Sequence, residues 1–222
     1  MRTTICIPVY NQADTLAKTI ESALTQTVPC EIIVVNDGST DASKFVAMEY
    51  EDRGVKLINQ INKGLSSARN TGIMNATGEF FLPLDSDDTL EPTCVERIEK
   101  VFDETDADVV SPSFTTFGED NQTVTLSMRP SLDDFKTANR VGYCSAVKLS
   151  VLKQVGGYSP RMIWGYEDYA LWFDLLLRGK KIYTIPESLW NYRVRQNSMM
   201  TTARLNHDKL MTQISKDHPG LF

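Results

Sequence analysis

The segment LPLDSDD places Asp85, Asp87 and Asp88 directly after a run of apolar residues. Asp85 and Asp87 are two residues apart, so a turn brings both carboxylates to one ligand. Hard carboxylate oxygens select Mg²⁺ or Mn²⁺, which keep open positions for phosphate oxygens. The plain alternative is an acidic turn whose Asp88 or Thr89 caps the next helix. Asp37, in NDGSTD, follows a second apolar run, and its carboxylate can accept from a base-ring N–H or a ribose hydroxyl. Asn-Asp-Gly-Ser is also what a tight loop needs. In NKGLSSARNTG, Asn62 and Gly64 make a turn, and Ser66 or Ser67 caps a helix. Arg69 offers a planar fork for a base carbonyl or a phosphate, or is simply solvated. GYEDYALWFDLLLRG opens an apolar helix with Glu167 and Asp168. These acids either complement the helix dipole or include a general base that takes a proton from an attacking hydroxyl. Arg193 and Arg195 in YRVRQNSMM share one strand face, suited to a diphosphate or to blunting an edge strand.

Other chemistries are poorly supplied. His207 and His218 are the two histidines of the chain, which disfavours His-based metal sites and Ser-His-Asp triads. Cys6, Cys30, Cys94 and Cys144 form no C-x-x-C pair and read as structural thiols of a reducing cytoplasm. There is no G-x-G-x-x-G after the first strand and no G-x-x-x-x-G-K-[ST].

The elements that must position these residues alternate. TTICIPV (3–9), EIIVV (31–35), VKLIN (55–59) and EFFLPLD (79–85) read as strands. Helices are expected near 14–24, with Asn11 or Asp14 as cap, near 45–50 and near 66–76. This repetition predicts a parallel, right-handed doubly wound sheet, whose ligands bind beyond the strands' carboxyl ends. Residues 8–11, 36–41 and 85–88 are therefore the candidate loops. Residues 108–147 suggest a short-stranded antiparallel section, 167–178 a helix ended by Gly179, and KIYTIP and LWNYRV two late strands. The last fifteen or so residues read as a helix and a tail.

The 222 residues suit one domain, 1–222, with a nucleotide-binding half (1–107), an acceptor-binding half (108–200) and a terminal helix and tail (201–222). A net charge of −6 disfavours nonspecific polyanion binding. That charge is uneven: residues 85–108 hold ten acids and two bases, and 178–209 seven bases and two acids. The first stretch begins at the candidate metal ligands and the second contains the Arg pair, so a groove for an anionic acceptor near 178–209 stays open. No apolar run is long enough to span a bilayer, and the N-terminus reads as a strand, not a signal peptide.

In order, IPVYN, VVNDGSTD, NKGLSSARNTG, FFLPLDSDD, GGYSP, GYEDYALW and YRVRQNSM resemble the family 2 glycosyltransferases of the GT-A fold, over about residues 3–200. The resemblance implies an α/β domain, with a Rossmann-like, mostly parallel mixed sheet flanked by helices. It implies that Pro8, Tyr10 and Asp37 hold the nucleotide base, usually uracil, with Tyr10 stacking and Arg69 completing the contact. Asn11, Asn62 and Ser86 join the donor contacts. Asp85 would reach the ribose, Asp87 with Asp85 would bind Mn²⁺ or Mg²⁺, and Asp168, beside Glu167, would be the base. Arg193, Arg195 and Ser198 would cover the diphosphate. Arg195 stands where the family often has His, which puts a side-chain metal ligand from this loop in question. The reaction implied is inverting single displacement from a nucleoside-diphosphate sugar, UDP-sugar favoured, to an acceptor hydroxyl. Trp164 and Tyr166 are the acceptor-side candidates. The acceptor classes left open are a glycan, glycolipid, protein or modified nucleic acid. A noncatalytic nucleotide-sugar or glycan-binding protein is the second reading. A sugar nucleotidyltransferase ranks lower, because the loop VYNQAD lacks the Gly-rich basic character that grips a triphosphate.

Overall fold

The computed structural model describes residues 1–126, 129–135, 138–196 and 199–218. The first half is a repeated strand–helix unit. β1 (Thr3–Val9), β2 (Cys30–Asp37), β3 (Val55–Gln60) and β4 (Phe80–Pro83) alternate with α1 (Ala13–Leu24), α2 (Ser43–Met48) and α3 (Leu65–Asn75). The second half is less regular. It comprises β5 (Thr89–Leu90), α4 (Cys94–Glu104), β6 (Val109–Gly118), β7 (Thr123–Val124), α5 (Leu132–Phe135), β8 (Ala146–Lys148) and α6 (Leu149–Val155). There follow α7 (Glu167–Leu177), β9 (Ile182–Val194), α8 (Met199–Leu205) and α9 (His207–Asp217).

One sheet runs through both halves, in the order β3-β2-β1-β4-β8-β6-β9-β5, with β7 paired to β6. The pairs β1–β2, β2–β3 and β1–β4 are parallel, with Thr3 opposite both Cys30 and Phe80. Beyond β4 the pairing turns mostly antiparallel, so the sheet is mixed. The chain builds outward from β1 to β3, then returns to lay β4 on the other side of β1. That reversal opens a crevice at the carboxyl ends of β1 and β4, where loops diverge and leave room for a ligand.

Both faces of the parallel section are covered, which explains its continuous apolar runs. Ile5, Ile7, Ile32 and Val34 face α1, whose Leu16 and Ile20 are buried with them. Cys6, Ile33 and Val35 face the opposite layer, with Ala68 of α3 and Trp172 and Phe173 of α7. Helix α3 lies so close to β1 that a Cβ on Gly72 would sit 2.2 Å from the Cys6 sulfur. All four cysteines are free thiols.

Several local expectations are corrected. KIYTIP and LWNYRV form the single strand β9. Its pairing with β6 jumps from Pro112–Ile185 to Ser113–Ser188. Pro186 has no N–H for the ladder, and the chain absorbs it in an irregularity without ending the strand. Helix α1 starts after Gln12, α3 after Gly64 and α4 after Thr93, none with a side-chain cap hydrogen bond. Asn11, Ser66, Ser67, Asp88 and Thr89 therefore cap nothing. Asp14 lies inside the first turn of α1. Helices α5, α6 and α8 were not anticipated, while α9 is the helix expected in the last fifteen or so residues.

Candidate functional site

The switch-point crevice is built from the loops after β1, β2 and β4. Beyond β1, Asn11 takes a left-handed φ of 53°. Its side-chain carbonyl accepts from the backbone N–H groups of Thr40 (2.7 Å) and Asp41 (3.3 Å). Asn11 thus fastens the first loop to the second. Tyr10, 47% exposed, stands free at the mouth, while Pro8 is buried inside β1. Asp37 ends β2 and is almost fully buried. Its two oxygens accept from Gln60 Nε2 (2.7 Å), Lys63 N (2.9 Å) and Gly64 N (2.8 Å). Asn62 accepts from Gly64 N at 3.2 Å. Asp37 therefore shapes the 62–64 turn at the start of α3, a role its loop motif did not reveal.

The turn after β4 is the acidic centre. Asp85 O accepts from Asp88 N at 3.1 Å, closing the turn. Buried Ser86 is anchored through its carbonyl, which accepts from the Thr15 hydroxyl at 2.8 Å. Asp88 is 1% exposed; it accepts from Arg193 N at 2.7 Å and from the Tyr143 hydroxyl. Burial, then the charges of Asp87 and Asp85, push its carboxyl well above the usual range. Asp87 keeps partial solvent contact and pairs with Arg195 at 3.1 Å. Burial and Asp85 raise its pKa, against Arg195 and Arg193. Arg193 also donates from Nε to the Asp87 carbonyl at 3.1 Å. Arg193 at the end of β9 and Arg195 just beyond it are thus both brought onto the acidic turn.

Arg69 corrects the sequence reading. The solvated alternative fails, while the contact to a nucleotide base stays an expectation. The side chain is 0% exposed and lies between the rings of Tyr143 and Tyr158, each about 5.2 Å from its guanidinium carbon. One terminal nitrogen bonds Asp85 at 2.7 Å and the other bonds Glu167 at 2.6 Å. Arg69 therefore ties the acidic turn to the start of α7. Glu167, 5% exposed, is the buried partner of this cation and is not free to act on a ligand.

Asp168 is the available member of the acid pair. The chain enters α7 through two left-handed residues, Gly165 (φ 113°) and Tyr166 (φ 63°). A non-glycine residue in this region is uncommon and is held by its surroundings. Here Gly165 packs on Ala203 of α8, and the Tyr166 hydroxyl meets His207 Nδ1 at 3.1 Å. This entry aims Asp168 into a cavity of about 590 Å³, also lined by Asp85, Asn139, Tyr143, Tyr166 and Tyr192. Asn139 donates to Asp168 at 3.0 Å. Burial first, then the neighbouring Glu167 charge, push the Asp168 carboxyl up to about 7, while Arg69 pulls it down. A carboxylate with such a pKa is a competent base near neutral pH. Tyr166 lines the cavity, but Trp164 does not. Trp164 is 39% exposed, with the Lys209 ammonium 5.3 Å above its ring. Ser198 lies outside the described residues.

Tyr143 and Asn139 were missed. Tyr143 donates to Asp88, accepts from Asp85 N at 3.1 Å and stacks against Arg69, so it braces the whole turn. Both residues come from the irregular stretch before β8, where no periodicity marks them.

The donor set fits a hard cation. Among the described residues no three His, Cys, Asp or Glu side chains form a preformed metal cage. Mg²⁺ is commonly held by one or two carboxylates completed by substrate phosphates. Asp87 and Asp85 are two carboxylates of that kind on one turn, here paired with Arg195 and Arg69.

The family model for Glycosyl transferase family 2 matches residues 4–164. The chain belongs to that family. It is 42% identical over 217 residues to the glycosyltransferase GlyA of Streptococcus pneumoniae, covering 88% of this chain and 31% of GlyA. It is 28% identical over 223 residues to the succinoglycan biosynthesis protein ExoO of Rhizobium meliloti, covering 92% of this chain and 64% of ExoO. The chain thus spans about a third of GlyA's length. The fold is that of S. aureus TarS 1–349 solved with UDP-GlcNAc, with a TM-score of 0.83 at 20% identity, covering 97% of this chain and 66% of that one. The mannosyltransferase PcManGT of Pyrobaculum calidifontis, solved with GDP-Man and Mn²⁺, superposes with a TM-score of 0.74 at 18% identity, covering 97% and 63%. No described helix is long and apolar enough to cross a membrane.

Proposed function

We propose that this domain transfers a sugar from a nucleoside-diphosphate sugar, UDP-sugar favoured, to an acceptor hydroxyl with inversion. The observation that carries this reading is the shared cavity. Asp168, its carboxyl raised to about 7, and Asp85, of the acidic turn, line the same space of about 590 Å³.

In this reading the nucleotide lies across the carboxyl ends of β1 and β2, with Tyr10 against the base. Asp37 acts by holding the 62–64 turn in shape. Asp87, with Asp85, would hold Mn²⁺ or Mg²⁺, which supplies positive charge to the diphosphate when bound. Arg193 and Arg195 add guanidinium charge beside the leaving group. The acceptor enters the aromatic cavity, and Asp168 takes the proton of its hydroxyl. Asn139 and the α7 entry hold that carboxylate in place, and Arg69 fixes its distance from the acidic turn. Trp164, outside the cavity lining and with Lys209 on one face, is kept as an acceptor contact on its exposure alone. The acceptor is a glycan, glycolipid, protein or modified nucleic acid. Free thiols and nucleotide-sugar chemistry suit a cytoplasmic setting. The nucleotide sugars solved with similar folds, UDP-GlcNAc with TarS and GDP-Man with PcManGT, support the donor class.

The test is a panel of nucleotide sugars read by thermal shift, with and without Mn²⁺, followed by assay of nucleoside-diphosphate release. A metal-dependent shift with one donor, and release that vanishes in Asp168→Asn, is expected. Donor binding with no release for any acceptor class would favour the noncatalytic reading.

A further inference from the structure

The cation position on Asp87 already has an occupant. Arg195 Nη2 lies 3.1 Å from Asp87 Oδ2, and the two side chains retain 36% and 22% exposure. Among the described residues no second guanidinium pairs with the Asp87 carboxylate; Arg193 donates instead to the Asp87 carbonyl. Asp85 is engaged by Arg69. Arg195 and Arg193 also line a second cavity of about 470 Å³, beside Asn11–Thr15 and Glu119, so the Arg195 head has open space to move into.

We propose that Arg195 acts as a resident counter-ion on Asp87, which a divalent metal must displace. The metal then binds weakly alone and well with a diphosphate, because the diphosphate gives the displaced guanidinium a new anionic partner. The inference rests on Asp87 being the metal ligand, as proposed above. The contact is part-exposed, a class typically worth little, so its displacement should weaken metal binding only about twofold to fivefold. A histidine here would lack this constraint, since a neutral imidazole can ligate the metal itself.

The test is titration of the chain with Mn²⁺, reading free Mn²⁺ by electron paramagnetic resonance, first without nucleotide and then with UDP. Arg195→Ala and Arg195→Gln should bind Mn²⁺ alone about twofold to fivefold more tightly than the parent. Arg195→Lys should stay close to the parent, because the charge is kept. Adding UDP should narrow or reverse the gap, since the variants lack a guanidinium for the diphosphate. Variants that bind Mn²⁺ alone no better than the parent overturn the proposal. An Asp87→Asn variant separates the two levels. If it abolishes Mn²⁺ binding while the Arg195 variants match the parent, only the counter-ion role falls. If it leaves Mn²⁺·UDP binding unchanged, the metal assignment falls and the counter-ion role with it.

Discussion

Asp168→Asn should stabilise the folded protein while removing its activity. The Asp168 carboxyl is raised from 3.8 to about 7 by burial and by Glu167. A raised carboxyl pKa means the folded state prefers the protonated form. Its favourable contribution is complete below the unfolded value near 3.8 and is lost as pH rises through about 7. Above pH 7 the wild-type chain therefore carries the cost of a charged carboxylate in a poor site. Raising a carboxyl from 3.8 to about 7 corresponds to a ceiling of about 4 kcal/mol. The carboxylate keeps partial solvent contact and a hydrogen bond from Asn139, so about 1–2 kcal/mol is the expected gain at pH 8. An Asn side chain retains the acceptor for Asn139 and is nearly isosteric. For a chain this long, that gain raises the melting temperature by roughly 2–8 °C. The assay is urea denaturation of both proteins at pH 5, 6, 7 and 8. The variant's advantage should grow over that interval and level off above about pH 7. Turnover should fall about 10²- to 10⁴-fold, with donor affinity little changed. A variant less stable than the parent at pH 8 would show that the environment of Asp168 was misjudged. Normal turnover would show that it is not the base.

Three further outcomes follow from the packing. Arg69→Met leaves Glu167 and Asp85 facing each other without their cation and should cost about 3–5 kcal/mol in urea denaturation; adding Glu167→Gln should recover part of it. A single-variant loss under about 1 kcal/mol would contradict a buried ion triad. Asp37→Ala removes the acceptor for three N–H groups at 2.7–2.9 Å. Amide exchange at Lys63 and Gly64 should rise, and affinity for the donor should fall by tenfold or more, about 1.4 kcal/mol or above. Gly72→Ala forces a methyl group onto the Cys6 sulfur and should destabilise by about 1–3 kcal/mol; Gly72→Ala combined with Cys6→Ala should be milder than the single change. Equal melting temperatures for Gly72→Ala and the parent would refute the close approach of α3 to β1.

The sequence alone determined the parallel half of the fold and the list of loops that matter. Apolar runs of strand length, separated by helical spacing, leave few ways to cover both faces of a sheet. The turn and cap residues between them then fall at the strand ends. That logic is local, which is why it marked the acidic loop after β4 and the acidic start of α7 as candidates without coordinates. It failed on Arg69, Glu167, Tyr143 and β9. Arg69 and Glu167 are 98 positions apart, and each looks like an ordinary surface charge until α3 and α7 meet over one crevice. Only then do burial and mutual neutralisation become visible, because desolvation depends on what surrounds a group in space. Tertiary structure likewise decided that Arg195 rests on Asp87, and that Glu167 is held by Arg69 while Asp168 faces the cavity with Asn139 as its donor. Charge and hydrogen-bond partners compete at distances of 3 Å or so, and which partner wins is set by packing between segments that the chain order keeps far apart.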